Sequence, residues 1–499
     1  MLSILADAPP VESAVTETTA IEERVLTFVV YNTRSHRKEA FETLEDGVVR
    51  MYNCGPTVYN RQHIGNFRSF LFADILRRWL EYIGYEVKQV MNITDVGHLL
   101  EDADEGEDKI EAQARREKRD PLAISQGYAA NFLEDLKTLD FAEAMLYPRA
   151  SDHIPEMLEI IQGLIEKGYA YQVGGNVYYD VNKFARYGEL SGNKVEDLEA
   201  GKRIEVNQEK RNAADFALWK SDPKHLMKWE TEFGPDGFPG WHIECSAMAR
   251  KHLGDQIDLH TGGEDNVFPH HECEIAQTEA FTDKTFASYW MHAKFLQVDG
   301  GKMSKSLGNV YTLDDIEERG YSIRALRFCL IRGHYRQPLN FTWDILKESQ
   351  SALSKLDDLV QRLERSAEDG AASTDRDREV LRTAVTKFEE SLNDDLAMPQ
   401  AIAALFVLRS AVEKQPMGAE ASNEALEFLR KVEDVLGVLE MDREGLDDTF
   451  AAEVETLIAA RKAAREGKDW TAADRIRDEL DEMGITLEDT ADGMIWKRS

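Results

Sequence analysis

Four side chains that lie far apart in the chain have the chemistry to hold a transition metal. Cys54 follows a short apolar run, and Cys245 lies in Gly240-Trp241-His242-Ile243-Glu244-Cys245-Ser246-Ala247-Met248. His270 and Glu274 lie in Phe268-Pro269-His270-His271-Glu272-Cys273-Glu274. On a helix the i, i+4 spacing of His270 and Glu274 points both side chains to one side, a common arrangement for two metal ligands. Two thiolates, an imidazole and a carboxylate form a mixed set that suits zinc better than magnesium or calcium. By spacing alone a simpler reading competes with this one. Isolated buried cysteines are usually small hydrophobes, and a His-His-Glu run often opens a surface helix.

Two further segments have the composition of phosphate-binding loops. His63-Ile64-Gly65-Asn66 stands just before a helical pattern, where unpaired backbone N–H groups and the helix dipole favour an anion. Gly65 lets a nucleotide approach the backbone, and His63 and Asn66 are donors to phosphate oxygens. Later comes Lys302-Met303-Ser304-Lys305-Ser306 between Asp299-Gly300-Gly301 and Leu307-Gly308-Asn309. Two lysines flanked by glycines make a mobile cationic loop that can close over a polyphosphate and stabilise the charge on departing pyrophosphate. Each segment alone reads more readily as an ordinary loop; their conjunction, one after an early strand and one after a late strand, favours the phosphate reading.

The elements that must position these residues follow from periodicity. Val48 to Asn53 reads as a buried strand entering the turn Gly55-Pro56. Phe72, Ile75, Leu76, Trp79, Leu80 and Ile83 then mark one face of a helix ending near Gly84, and Glu86 to Thr94 reads as a second strand. Strand, helix and strand form a βαβ unit and hence a parallel sheet, with ligands beyond the carboxyl ends of its strands. Leu122 to Gly168 has helical periodicity and Asn176 to Asp180 reads as a short strand, so this middle section looks like an insertion between two halves of one sheet. Apolar segments around Trp241 to Met248, Gln256 to His260 and Lys294 to Val298 resume the second half. After Trp343 long amphipathic helices take over, with Leu353, Leu356, Leu359, Val360 and Leu363 as one stripe and polar breaks near Arg365 to Asp375 and Asp442 to Asp448. The fold class expected is α/β: a Rossmann-like parallel-sheet catalytic domain with an inserted connective segment, followed by a helical C-terminal region. The expected divisions are 1–24, an acidic disordered tail; 25–115, the first half of the catalytic sheet; 116–235, the insertion; 236–343, the second half; 344–445, a helical bundle; and 446–499, a small final unit.

Composition bounds the function. The apolar runs of the 499-residue chain fall short of the ~18 consecutive residues that span a bilayer, which excludes a helical membrane protein. Residues Met1 to Arg24 carry five acidic side chains and one basic one, matching neither a secretory signal nor an Arg-rich transit peptide, so a cytoplasmic location is expected. Four cysteines without framework spacing agree with a reducing compartment. The net charge of −33 opposes phosphate binding over the whole surface but permits a local basic stripe.

Together the two loop segments resemble the HIGH and KMSKS signatures of class I aminoacyl-tRNA synthetases, with Asn66 where the family pattern has His. The strings CGPTVY, GWHIECSAM and FPHHECEIAQ look like those of cysteinyl-tRNA synthetases almost residue for residue, and the resemblance runs over roughly residues 26 to 498. It implies ATP-dependent activation of L-cysteine and its transfer to tRNA(Cys), with one Zn2+ per chain on Cys54, Cys245, His270 and Glu274 selecting the thiol, and Mg2+ accompanying ATP. His271 and Cys273 would be bystanders, the latter often Asn in the family. The implied catalytic residues are His63, Asn66, Lys302 and Lys305; ATP binding adds Gly65 and Ser304. The amino-acid pocket matches Gly55, Thr57, Asn92, Thr94, Trp241, Gly263 and Asp265, with Trp241 an apolar wall and Asp265 a partner for the ammonium. The resemblance also implies anticodon binding by 344–445, tRNA contact by 446–499, where Trp496 is a candidate base-stacking residue, no membrane partner and a monomer. Two alternatives stand beside it: a relative that joins cysteine to an amino sugar in mycothiol synthesis, and a non-catalytic zinc- or RNA-binding paralogue.

Overall fold

A computed structural model of the chain describes residues 27–99, 107–193, 209–303 and 308–441, and then 456–458, 460–461, 464, 470–482, 485–490 and 493–498. The acidic segment 1–24, the break near 442–448, Ser304 and Lys305 lie outside the described residues. The chain divides into two compact units, 1–438 and 439–499.

In the first unit a hairpin, Val29–Asn32 (β1) with Arg37–Ala40 (β2), precedes the strand Val48–Asn53 (β3). β3 feeds the helix Ile64–Tyr82 (α1), which returns the chain to Glu86–Met91 (β4), parallel to β3 with Asn53 opposite Met91. α1 forms because Phe67, Leu71, Ile75, Leu76 and Trp79 recur on the side it buries. It stops at Gly84, whose φ of +100° suits a residue without a Cβ.

Helices Lys109–Glu117 (α2), Pro121–Thr138 (α3) and Ile154–Glu166 (α4) follow. Between α3 and α4 the chain runs along the outer edge of β4, where Met91 N–H donates to the Leu146 carbonyl at 3.1 Å and Ile93 N–H to the Pro148 carbonyl at 2.8 Å. Part of the expected insertion thus extends the central sheet. The rest includes strands Ala170–Val173 (β5), Asn176–Tyr179 (β6), Phe216–Ser221 (β7), Trp229–Thr231 (β8) and Gly234–Pro239 (β9), an antiparallel sheet in the order β5-β6-β7-β9-β8.

Helix Trp241–Leu253 (α5), strand Ile257–Gly263 (β10), helix Glu272–Thr282 (α6) and strand Ala287–Ala293 (β11) complete the central sheet, all parallel in the order β11-β10-β3-β4. The chain steps outward from β3 to β4 on one side and from β10 to β11 on the other. Strand order therefore reverses between β3 and β10, and a crevice opens beyond their carboxyl ends. Cys54 is the first residue after β3, and its N–H donates to the Thr261 carbonyl of β10 at 3.1 Å.

A smaller sheet, Leu296–Val298 (β12), Gly301–Lys302 (β13) and Leu339–Phe341 (β14), carries Lys302; the helices Leu313–Glu317 (α7) and Ile323–Ile331 (α8) lie between its last two strands. Four helices then follow: Trp343–Glu368 (α9), Asp375–Asn393 (α10), Met398–Lys414 (α11) and Ala419–Leu436 (α12). The stripe on α9 is buried, from Leu353 to Leu363. The second unit contains helix Trp470–Glu482 (α13) and the hairpin Ile485–Thr490 (β15) with Gly493–Arg498 (β16), in which Trp496 stands opposite Leu487.

Of the apolar segments expected to resume the second half, Gln256 to His260 leads into β10, Trp241 to Met248 is the start of α5, Lys294 to Val298 leads into the small sheet, and the edge strand of the central sheet is Ala287–Ala293. The break at Arg365 is shorter than expected, since α9 continues to Glu368.

Candidate metal and substrate site

The crevice collects the four expected metal ligands. Cys54 comes from the end of β3, Cys245 from the second turn of α5, and His270 and Glu274 from the helical stretch that follows β10; one donor atom of each lies within 4.8 Å of all the others. Cys245 Sγ is 3.5 Å from His270 Nε2, His270 Nε2 is 3.1 Å from Glu274 Oε1, and Cys54 Sγ is 3.9 Å from the same oxygen. Tetrahedral zinc with Zn–S about 2.3 Å and Zn–N or Zn–O about 2.0–2.2 Å needs ligand-to-ligand edges of roughly 3.4–3.8 Å. The donor set fits a zinc ion to within small side-chain adjustments.

The surrounding contacts orient these donors. His270 Nδ1 lies 2.9 Å from His242 Nδ1, leaving Nε2 toward the cluster, and Glu274 Oε2 accepts from His260 Nε2 at 2.8 Å. A metal-ligating histidine or carboxylate generally has its outer atom held in this way. Burial pushes the Cys54 thiol well above its ordinary value, and Cys245, Glu274 and Asp265 add repulsion. Burial also raises Cys245 and lifts Glu274 well above the carboxylate range. A bound cation favours the anionic forms and so acts against all three shifts.

Sequence reasoning missed part of this cluster. Cys54, His260, His271 and Glu274 form a second overlapping group within the same 4.8 Å. His271 is no remote bystander: its Nε2 is 3.1 Å from Cys54 Sγ and its Nδ1 is 2.8 Å from His292 Nε2. Burial, reinforced by neighbouring imidazoles, holds His271 well below the ordinary histidine value, while burial brings His260 and His292 to about 3. His260 stands on β10 and His292 on β11 with no spacing relation to His270, so only the pairing of those strands reveals them. Cys273 belongs to neither group; its sulfur lies 3.5 Å from the Tyr187 hydroxyl.

The expected amino-acid pocket lies beside the cluster. Gly55 N–H donates to Asn92 Oδ1 at 2.8 Å, and a Cβ on Gly55 would fall 1.8 Å from the Asn92 carbonyl oxygen, so only glycine permits this approach. Asn92 Nδ2 donates to Thr94 Oγ1 at 3.1 Å and Thr94 Oγ1 to Glu244 Oε2 at 2.8 Å. Burial raises Glu244 well above the carboxylate range, with Cys245 adding to it. Trp241 stacks on His270 with centroids 4.4 Å apart and on His98 at 4.0 Å. Gly263 N–H donates to Asn266 Oδ1 at 2.9 Å, a turn that leaves Asp265 exposed at the mouth.

At the start of α1 His63 and Asn66 cap each other: Asn66 N–H donates to His63 Nδ1 at 3.2 Å and His63 N–H to Asn66 Oδ1 at 3.1 Å. Asn66 replaces the expected histidine by serving this cap, with its amide Nδ2 left as the donor group. A Cβ on Gly65 would lie 3.4 Å from Met303 Cε, so Met303 reaches the helix start, and the neighbouring Lys302 is exposed.

The parallel sheet reversing at β3 and β10 is the fold of class I aminoacyl-tRNA synthetases: a methionyl-tRNA synthetase from Mycobacterium tuberculosis, solved with methionyl-adenylate, matches with TM-score 0.60 over 78% of this chain and 92% of that one at 15% identity. Residues 40–351 match the model of the class I (C) tRNA synthetase catalytic domain, 387–440 the DALR domain and 447–496 the cysteinyl-tRNA ligase anticodon-binding domain. Curated cysteine–tRNA ligases are similar along almost their whole length. That of Chlorobaculum tepidum is 43% identical over 94% of this chain and 98% of its own, and that of Thermus thermophilus 41% over 94% and 99%. The chain belongs to the cysteine–tRNA ligase family.

Proposed function

We propose that the chain activates L-cysteine with ATP and transfers it to tRNA(Cys), with a zinc ion on Cys54, Cys245, His270 and Glu274 choosing the thiol. The observation that carries this reading is the convergence of two sulfurs, an imidazole nitrogen and a carboxylate oxygen at one buried point at the sheet's switch point. Cys245 and His270 are favoured over His260 and His271 as ligands because His260 is engaged in holding Glu274 Oε2. Zinc held by these four residues would act as a Lewis acid that binds a thiolate and would leave the hydroxyl of serine protonated and weakly held. Pocket shape alone gives only a few kcal/mol between near-isosteres, so the metal carries the discrimination.

The chain's own residues position the rest. Trp241 walls the pocket, Gly55, Thr57, Asn92, Thr94 and Gly263 shape it, and exposed Asp265 pairs with the substrate ammonium. His63, Gly65 and Asn66 at the start of α1 receive phosphate oxygens, the helix dipole favouring the anion. Lys302, Ser304 and Lys305 close over the polyphosphate and, with Mg2+, stabilise charge on the leaving pyrophosphate as the carboxylate attacks the α-phosphate in line. No protein nucleophile is needed, so positioning and electrostatics supply the acceleration. The DALR and anticodon-binding matches at 387–440 and 447–496 support tRNA as the acceptor over an amino sugar. Among the described residues no helix is long and apolar enough to cross a membrane; a monomer acting in the cytoplasm accords with this reading.

The test is cysteine-dependent ATP–pyrophosphate exchange followed by a choice of acceptor. Exchange with cysteine, none with serine, and charging of tRNA(Cys) are expected. Exchange without tRNA charging but with coupling to the amino sugar would overturn the acceptor, and no exchange at all would leave only the non-catalytic paralogue.

A further inference from the structure

Beside the expected pocket, three residues from separate segments form a chain of contacts that the reading above does not use. Lys109 Nζ lies 2.6 Å from His98 Nε2, and His98 Nδ1 lies 2.6 Å from Thr57 Oγ1. His98 is 6% exposed and stacks on Trp241 at 4.0 Å with a 13° interplanar angle, while the Lys109 ammonium also faces the Tyr59 and Trp241 rings at 5.9 and 6.0 Å.

The direction of these hydrogen bonds follows from valence. A lysine ammonium has donors and no acceptor, so His98 Nε2 must accept and the imidazole proton must sit on Nδ1. Nδ1–H then donates to Thr57 Oγ1. The hydroxyl oxygen is thereby engaged as an acceptor, and its own hydrogen must be offered to another group. Thr57 is partly open, and its backbone is fixed by bridging to Thr94: Val58 N–H donates to the Thr94 carbonyl at 3.1 Å and Thr94 N–H to the Pro56 carbonyl at 3.0 Å.

We propose that Lys109 and His98 are positioning residues that fix the His98 tautomer and so commit the Thr57 hydroxyl to donate to a carboxylate oxygen of the bound amino acid. The inference rests on the assignment of Thr57 to the amino-acid pocket. It gives α2 a role in activation, since Lys109, its first residue, is held against the pocket from outside. It also explains why His98 is a histidine where a phenyl ring would stack as well on Trp241, since a phenyl ring cannot relay the donor.

Asparagine places an amide N–H near the position of Nδ1 and glutamine near that of Nε2, so the two amides separate a relay from a packing role. The experiment measures cysteine-dependent ATP–pyrophosphate exchange for the wild type, Lys109→Met, His98→Asn and His98→Gln, with intrinsic tryptophan fluorescence and thermal melting as folding controls. Loss of one hydrogen bond to a charged group should raise KM for cysteine roughly tenfold in Lys109→Met and His98→Gln, with KM for ATP unchanged within about twofold. His98→Asn should recover most of the lost cysteine affinity. Equal impairment of His98→Asn and His98→Gln would assign His98 to packing, and a normal cysteine KM in folded Lys109→Met would remove the relay; either overturns the proposal. Should the His98 variants fail to fold, Lys109→Met, altered at a half-buried side chain, still decides it. A wild type without cysteine-dependent exchange would instead refute the proposed function, so the two failures are distinguishable.

Discussion

Among the described residues, the most buried arginine–carboxylate contact offers a stability prediction that can be worked from its geometry. Arg327 on α8 is 1% exposed and its guanidinium makes four hydrogen bonds: Nη2 donates to Asp74 Oδ2 on α1 at 2.6 Å, Nε to the Leu436 carbonyl at 2.7 Å, and Nη1 to the carbonyls of Leu139 at 2.8 Å and Asp140 at 3.1 Å. It thereby joins α1, whose first residues are the proposed phosphate site, to the end of α12. Arg327→Met preserves the stem but removes a donor from one carboxylate and three carbonyls, of which the Asp140 carbonyl still accepts from Arg78 Nη2. Removing one partner of a buried pair costs about 3–5 kcal/mol. Asp74 keeps Arg78 Nε at 3.0 Å and the Ala142 N–H at 2.9 Å, which places the expected loss near the low end, about 3 kcal/mol. Urea unfolding followed by far-UV circular dichroism would measure it, with Asp74→Asn and the double variant completing a cycle. A loss below about 1 kcal/mol, or strict additivity of the two single changes, would refute the view that this pair is a coupled buried joint.

Other outcomes follow from the same contacts. Cys245→Ser should lower zinc content in purified protein and weaken cysteine activation by at least about tenfold, as loss of a ligand exceeds the effect of losing an outer partner; unchanged metal stoichiometry would refute the ligand assignment. Gly55→Ala forces a Cβ to within 1.8 Å of the Asn92 carbonyl oxygen, so the loop must shift and KM for cysteine should rise while pyrophosphate exchange at saturation falls, read by steady-state kinetics. His225 is pushed down by burial, but its Asp108 hydrogen bond and the Glu111 and Asp108 charges outweigh this and its value is raised. Its contribution to stability is therefore complete below the unfolded value of about 6.5 and is lost as pH rises through the folded value. Melting temperature should fall over that window in the wild type and fall less in His225→Phe, which keeps the stack on Phe238 at 3.8 Å.

How much could be read from the sequence depended on whether the signal was local. The strand Val48–Asn53 and the helix after it carried their own periodicity and adopt those conformations. The four metal-type residues were visible by type, and the i, i+4 pair His270 and Glu274 falls on a helical stretch as its spacing required. β7 and β9 were not visible: Gly234–Pro239 contains two glycines and two prolines, and it is a strand because Phe216–Ser221 and Trp229–Thr231 pair with it from either side. His260 and His292 were hidden for the same reason, since they meet through β10 and β11. The cap between His63 and Asn66 escaped notice because neither residue belongs to the usual Ser/Thr and Glu/Gln pairing.

The central claim is that a zinc ion at this point contacts the substrate sulfur. Zinc K-edge X-ray absorption on the purified protein measures it directly. Two sulfur and two nitrogen or oxygen ligands are predicted for the protein alone, with an additional sulfur appearing on addition of L-cysteine and no change with L-serine. Absence of zinc, or a coordination shell that L-cysteine leaves unaltered, would contradict the account.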